Sequence, residues 1–317
     1  MKRFLRKLFG GASDAEKAAS LETTSIEAKT KKASSGVETE PIVTAPLSPE
    51  VSASNENAFY PPQFPFGSAQ SNGKQRDHNE DALFALSTIL ASDSTSIPFG
   101  LFIIADGMGG HQHGEVASGV AIRAMASYVI HKLFVPMYSL NRETPDESLQ
   151  EILQAGVLEA HQAILKEATG GGTTLTTALI VGSQLMISHV GDSRAYAIHP
   201  DGRIHVITRD HSLVKRLEEL GQITSSEAAV HPQRNVLYRA LGQGEPFEPD
   251  VTTYPLPHNG HVLLCSDGLW GVISEKDIIE TIRSSTSLQQ ACHQMVEIAN
   301  NAGGPDNISV ILVQTPE

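Results

Sequence analysis

Cysteine is almost missing from this chain of 317 residues. The two present, Cys265 and Cys292, cannot build a disulfide framework, and neither belongs to a CxxC metal pair. They read as small buried apolar side chains of a protein kept in a reducing, cytoplasmic compartment. Long apolar runs are lacking too: none approaches the ~18 residues that cross a bilayer. The opening MKRFLRKLFGG is too short in its apolar part, and too broken by charge, for a signal peptide. Basic residues are scarce, 23 Lys and Arg against 36 Asp and Glu, for a net charge of -13. That deficit lies wholly beyond residue 57, because the first 57 residues carry eight of each sign. A surface so acidic repels a phosphate backbone, so nucleic acid is excluded as a partner. No internal repeat is present.

What the chain does contain divides in two. Residues 1–57 are rich in Ala, Ser, Thr, Glu and Lys and poor in bulky apolar side chains, the composition of a disordered tail. At its start Phe4, Leu5, Leu8 and Phe9 recur at helical spacing among Lys2, Arg3, Arg6 and Lys7, so residues 2–9 can make a weak contact with an anionic membrane surface. Residues 58–317, ~260 in number, suffice for one large core. Strands are expected over Pro98–Ala105, Thr173–Val181, Leu185–Val190, Ala195–His199, Arg203–Thr208, His261–Cys265 and Ile308–Val313. Helices are expected over Gly114–Phe134, from a capping box at Thr144-Pro145-Asp146-Glu147 through Ile164, and over Ser274–Ser284 and Leu288–Asn300. Residues 211–242 break the rhythm as an excursion from the core, with a short helix at Ser212–Leu220. Adjacent strands with helices in separate pairs argue for a layered α+β domain.

The chemistry lies where the aspartates fall. Asp106 follows the apolar run GLFIIA, Asp267 follows VLLCS, Asp192 follows MISHVG, and Asp306 stands just ahead of the last strand. A carboxylate at the end of a buried strand is held rigidly, as a metal ligand must be. Gly107, beside Asp106, lets the backbone approach closely enough for its carbonyl to act as a ligand. The cluster Arg76-Asp77-His78-Asn79-Glu80-Asp81 adds two adjacent acids and an arginine. Each Asp-Gly pair taken alone is first a turn signal, and Asn79-Glu80-Asp81 alone is a solvated loop. If the acids converge, they need cations to offset their repulsion, and an all-oxygen set suits Mg²⁺ or Mn²⁺.

The ordered motifs RDHNED, IIADGMGGH, GGTTLTTALI, HVGDSRAY, RDHSLV, HPQRNVLYRALG, LLCSDGLWGVI and GGPDNISVILV, spanning about 68–315, resemble the metal-dependent (PPM, type 2C) Ser/Thr protein phosphatases, in their bacterial form. The resemblance implies a four-layer α-β-β-α sandwich: two antiparallel sheets face to face, flanked by helix pairs, with a mobile flap at 211–242. It implies two core Mn²⁺ or Mg²⁺ ions and a weaker third. Asp106 would bridge the core pair, Asp267 and Asp306 would complete the coordination of the first ion with Asp81 reaching it through water, and Glu80 and the Gly107 carbonyl would hold the second ion. Asp192 would help bind the third, Arg76 would grip the substrate phosphate, and Asn307 would support the loop.

Activity would be one-step hydrolysis of phospho-Ser or phospho-Thr by a water bridging the ions, on protein targets of a Ser/Thr kinase, by a monomer. One departure concerns the leaving group: where many members carry histidine after the first DG pair, this chain has Met108, which moves no proton. A water at the third site is the preferred source, with His111 and His113 as candidates. The competing readings are a pseudophosphatase scaffold, which would normally lack a ligand acid, and a metal-dependent phosphodiesterase.

Overall fold

In the computed structural model, residues 63–92, 95–109, 112–139, 146–244 and 247–317 are described. The tail of residues 1–57, its amphipathic start and His111 lie outside them. Eleven strands form two antiparallel sheets among the described residues. The first contains β1 (Phe66–Ser71), β7 (Arg194–Ile198), β8 (Ile204–Val206), β10 (His261–Cys265) and β11 (Ile308–Gln314), ordered β1-β11-β10-β7-β8. The second contains β2 (Asp81–Ser92), β3 (Thr95–Met108), β5 (Leu175–Val181), β6 (Gln184–Val190) and β9 (Asp250–Pro255), ordered β2-β3-β5-β6-β9. The two-residue β4 (Gly172–Thr173) pairs with the end of β3.

Three apolar layers hold these sheets, and strand alternation sorts residues among them. Along β3, Phe99, Leu101, Ile103 and Ala105 face helices, while Phe102 and Ile104 face the other sheet. Along β11, Ile308, Val310 and Leu312 face helices, while Ile311 and Val313 face inward. A strand covered on both faces shows no polar alternation, which is why these runs read as continuously apolar. The inner layer is Phe64, Phe102, Ile104, Ala178, Ile180, Leu185, Ile187, Ala195, Val262, Leu264, Ile311 and Val313. Each large side chain buried there contributes roughly 1.5–3 kcal/mol. The result is the four-layer α-β-β-α sandwich expected.

Helices α1 (Gln112–Val129) and α3 (Leu149–Glu167) cover the second sheet; α7 (Glu275–Ser284) and α8 (Leu288–Asn301) cover the first. Between the first two come a π-type turn at Ile130–Phe134 and a short helix, α2 (Val135–Tyr138), with proline in its first turn. Helical backbone therefore runs past the expected end at Phe134. Pro136 has no N–H to donate, and such a residue interrupts the regular ladder of a helix. Over His113–Tyr138 the hydropathy reaches 1.2, enough by length and composition to cross a membrane. Here Ala117, Ala121, Met125 and Val129 pack fully buried in the core, so burial against the sheet accounts for the apolar composition.

The cap of α3 differs from expectation. Ser148 caps it: Glu151 N–H donates to Ser148 Oγ at 3.2 Å, and Ser148 N–H donates to Glu151 Oε2 at 2.6 Å, while Thr144 and Pro145 lie outside the described residues. Ser148 and Glu151 satisfy the same three-residue rule immediately next to the apolar stripe. The helix expected over Ser274–Ser284 opens on a capping box of Ser274 and Asp277. Thr174 leaves the ladder between β4 and β5, splitting the strand expected over Thr173–Val181. The excursion holds α4 (Leu213–Glu219) and α5 (Ser225–Ala229), with α6 (Asp267–Trp270) following β10.

Candidate metal centre

Antiparallel pairing brings the acids to one edge of the sandwich. Asp81 opens β2 and pairs directly with Asp106 near the end of β3. Leu175 at the start of β5 pairs with Val190 at the end of β6, two residues before Asp192. In the other sheet Cys265 closes β10 opposite Val310 of β11, so Asp267 just past one strand and Asp306 just before the other share that edge. A cavity of about 470 Å³ opens there, lined among others by Arg76, Glu80, Asp106, Gly107, Asp192, Asp267 and Asp306. Asp81 sits behind this lining, 8 % exposed.

Main-chain clamps fix the cavity wall. Asp106 N–H donates to Thr174 Oγ1 at 2.9 Å, while Thr173 Oγ1 and Thr174 N–H donate to Asp106 O at 2.8 and 2.9 Å. The first two threonines of GGTTLTTALI thus hold Asp106 without using its carboxylate. A Cβ on Gly107 would lie 2.3 Å from Gly114 O and 2.5 Å from Glu80 O, so only glycine fits. Asn307 ties down the loop of Arg76–Asp81: its Oδ1 accepts from Glu80 N–H at 2.8 Å, and its Nδ2 donates to Asn72 O and His78 O at 2.9 Å each. Arg76, half-exposed, donates from Nη2 to Asp306 Oδ2 at 2.7 Å.

The electrostatics are those of crowded carboxylates. Burial raises the Asp81 carboxyl to about 7, and repulsion from Asp267 and Asp306 adds to this. Burial likewise lifts Asp267 to about 6, with Asp306 repelling it and a hydrogen bond to Asp106 working the other way. Asp106 and Asp192 are pushed well above the carboxylate range, first by burial and then by neighbouring acids. Asp81 Oδ2 accepts from Ser266 Oγ at 2.8 Å, but Asp81 Oδ1 and Asp267 Oδ1 are buried with no hydrogen-bond partner. Buried, unpartnered, mutually repelling oxygens are strongly unfavourable until a cation meets them. Oxygen-only donors with no cysteine among them fit a hard divalent ion.

Among the described residues, no three of these acids are yet gathered tightly enough to form a ready ligand set. The mutual repulsion nevertheless shows Asp81, Asp106, Asp192, Asp267 and Asp306 acting within one field. Two acids are held aside by other partners, Asp306 by Arg76 and Glu80 by His78, whose Nε2 lies 3.3 Å from Glu80 Oε1. Rotation of these two partly exposed side chains is a small adjustment that would bring them to the shared field and the orphaned oxygens.

The other sequence expectations divide. Met108 lines the cavity, whereas His113 is exposed and absent from its lining. His78, Thr174, Asn235 and Leu237 also line it, and sequence reasoning assigned none of them a part. His78 and Thr174 lie inside quoted motifs, which was the available signal. Asn235 and Leu237 lie inside the motif HPQRNVLYRALG of the excursion, and the pairing of that segment with residues 212 and 213 brings them to the cavity.

An acid cluster of oxygen donors, spread over two facing sheets and beside an arginine, has the chemistry to hold divalent cations and to face an anionic substrate. The family described as Protein phosphatase 2C matches residues 67–308. A putative protein phosphatase 2C-type of Streptococcus pyogenes serotype M6 is 37% identical over 216 residues, covering 67% of this chain and 85% of its own. The serine/threonine protein phosphatase PstP of Mycobacterium tuberculosis is 35% identical over 253 residues, 78% of this chain and 44% of the longer relative. The crystal structure of the PstP catalytic domain with two manganese ions superposes with a TM-score of 0.64 at 31% identity, covering 81% of this chain and 100% of that one. The chain belongs to the protein phosphatase 2C family, in its bacterial branch.

Proposed function

We propose a division of labour among the cavity residues of what is, by family and fold, a metal-dependent protein serine/threonine phosphatase. Asp106 serves both core ions; Asp267 and Asp306 join it on one, with Asp81 acting through water; Glu80 and the Gly107 carbonyl hold the other. Asp192 contributes to a weaker third site. Bound Mn²⁺ or Mg²⁺ acidifies the attacking water and takes up charge developing on the phosphoryl oxygens. The single observation that carries this reading is the set of buried acids, with unpartnered Asp81 and Asp267 oxygens, at an edge to which both sheets contribute.

The protein's own groups do the rest. Arg76 presents a planar fork that matches two phosphoryl oxygens, and it would be released for them as Asp306 turns from it to an ion. Thr173 and Thr174 keep Asp106 rigid through its main chain, and Asn307 keeps Glu80 on the cavity wall. Residues 211–242 act as a flap over substrate access, with Asn235 and Leu237 reaching the cavity. The chain works as a cytoplasmic monomer against the targets of a Ser/Thr kinase, with residues 2–9 free to touch an anionic membrane surface.

The test is hydrolysis of p-nitrophenyl phosphate by purified protein with Mn²⁺, before and after Asp106→Ala. Activity that depends on Mn²⁺ and falls at least a thousandfold in the variant is expected. A pseudophosphatase scaffold would show neither, and a phosphodiesterase would prefer the bis-p-nitrophenyl ester.

A further inference from the structure

Asp192 stands at the end of β6 with no strand partner to hold it. The residue before it, Gly191, is buried and adopts φ +106, a conformation that glycine tolerates and other residues rarely adopt. Both polar groups of Gly191 are taken by one residue. His211 N–H donates to Gly191 O at 2.7 Å, and Gly191 N–H donates to the His211 ring at Nδ1, 3.1 Å away. An accepting Nδ1 places the ring hydrogen on Nε2, which faces Asp250 Oδ2 at 3.1 Å. Arg239 Nη1 lies 3.3 Å from Nε2, but it too is a donor, and it turns to Asp250 Oδ1 at 2.8 Å. The ring is 1% exposed, packs at a tilt against His189 with centroids 4.9 Å apart, and burial lowers its affinity for a proton.

The same residue closes the base of the flap. Tyr238 N–H donates to His211 O at 2.9 Å, and the next pairs are Leu213 N–H to Val236 O at 2.8 Å and a bridge between Ser212 and Leu237. Leu237, on the returning strand, lines the cavity that Asp192 also lines.

We propose that His211 is a positioning residue for Asp192, its ring and main chain gripping the Gly191 peptide so that the Asp192 carboxylate and the flap base keep one fixed relation. Asp250 sets the ring tautomer from behind, and Arg239 sets Asp250. This rests on the reading of Asp192 as a ligand of the weaker ion. His211 touches neither substrate nor ion and acts only through the turn it holds.

Two substitutions of equal polarity separate this from packing. In His211→Asn the amide oxygen can stand where Nδ1 stands, keeping the Gly191 bond and losing Asp250. In His211→Gln the longer side chain reaches toward Asp250 and loses Gly191. Each is measured in the full chain for Mn²⁺ binding by electron paramagnetic resonance of free Mn²⁺, for kcat and KM on p-nitrophenyl phosphate, and for melting temperature, beside Asp192→Ala.

The expected result is that Asp192→Ala and His211→Gln weaken the loosest Mn²⁺ site about tenfold and lower kcat with little change in KM. His211→Asn should stay within about threefold of the parent. Equal impairment of Asn and Gln, or none in either, while Asp192→Ala weakens Mn²⁺ binding, overturns the positioning role and leaves the ligand reading standing. No effect of Asp192→Ala overturns both. Should the variants fail to fold, ¹⁵N spectra of the parent decide: a hydrogen on Nε2 and a coupling between Gly191 N and His211 Nδ1 are expected, and a ring carrying its hydrogen on Nδ1 refutes the proposal.

Discussion

Replacing Asp81 by asparagine should stabilise the chelated protein at neutral pH while impairing the loaded one. Asp81 is fully enclosed, and its carboxyl is raised from 3.8 to about 7. A rise of that size costs the ionised folded protein ~4 kcal/mol at pH 7.5. Neighbouring acids share this penalty, so relief by Asp81→Asn should be nearer 2–4 kcal/mol, or roughly 5–10 °C in Tm for a domain of this size. The sign follows from linkage. A carboxyl raised in the folded state favours folding fully only below its unfolded value, and that contribution is lost as pH climbs from about 4 through 7. The variant cannot ionise, so its advantage should be largest at pH 7.5 and nearly gone at pH 4. His189, lowered to about 3 by burial, makes both proteins lose stability on acidification below about 6.5, and this cancels in the difference. The assay is thermal unfolding in EDTA at pH 7.5, 6 and 4.5, repeated with excess Mn²⁺, where the order should reverse. A variant less stable than the parent in EDTA at pH 7.5, or an advantage independent of pH, would refute the reasoning.

Further outcomes can be measured directly. Arg76→Ala should lower kcat/KM for p-nitrophenyl phosphate roughly ten- to a hundredfold, the worth of a charge-assisted hydrogen bond, and Arg76→Lys should recover only part of it through KM. Gly107→Ala places a methyl 2.3 Å from Gly114 O and should abolish Mn²⁺-dependent activity and cut Tm by several degrees, whereas Gly170→Ala, with open space but φ +88, should cost stability and leave turnover unchanged. Ser148→Ala removes the cap of α3 and should cost ~1 kcal/mol, read as a Tm lower by about 2–4 °C with kcat unaltered.

The parts of the fold legible in the sequence were those where one physical signal dominates. β3, β10 and β11 are covered on both faces, so their apolar runs stand out, and the acids at their ends follow directly. The start of α7 was legible because Ser274 and Asp277 adjoin the apolar stripe; at α3 the box was expected at Thr144–Glu147, and it forms at Ser148 and Glu151, which touch the stripe. β9 (Asp250–Pro255) was missed because it is a half-exposed edge strand rich in threonine, with no apolar run to mark it. The candidate ligands were readable singly, but their convergence depends on register between strands remote in sequence. The His211 grip on Gly191 was not readable at all, since it joins residues twenty positions apart through a ring nitrogen. Asn235 and Leu237 reach the cavity only because the flap base is zipped to residues 211–213.

Neither sheet owns the acid edge. Asp81 and Asp106 come from one and Asp267 and Asp306 from the other, and the Ser266 hydroxyl already reaches across to Asp81. Ions seated there would act as a rivet between two plates whose remaining contact is mainly apolar. Shear of one sheet over the other should therefore be resisted at this edge and permitted at the opposite one. Amide exchange in the chelated and loaded protein would show that asymmetry as a gradient running along the strands.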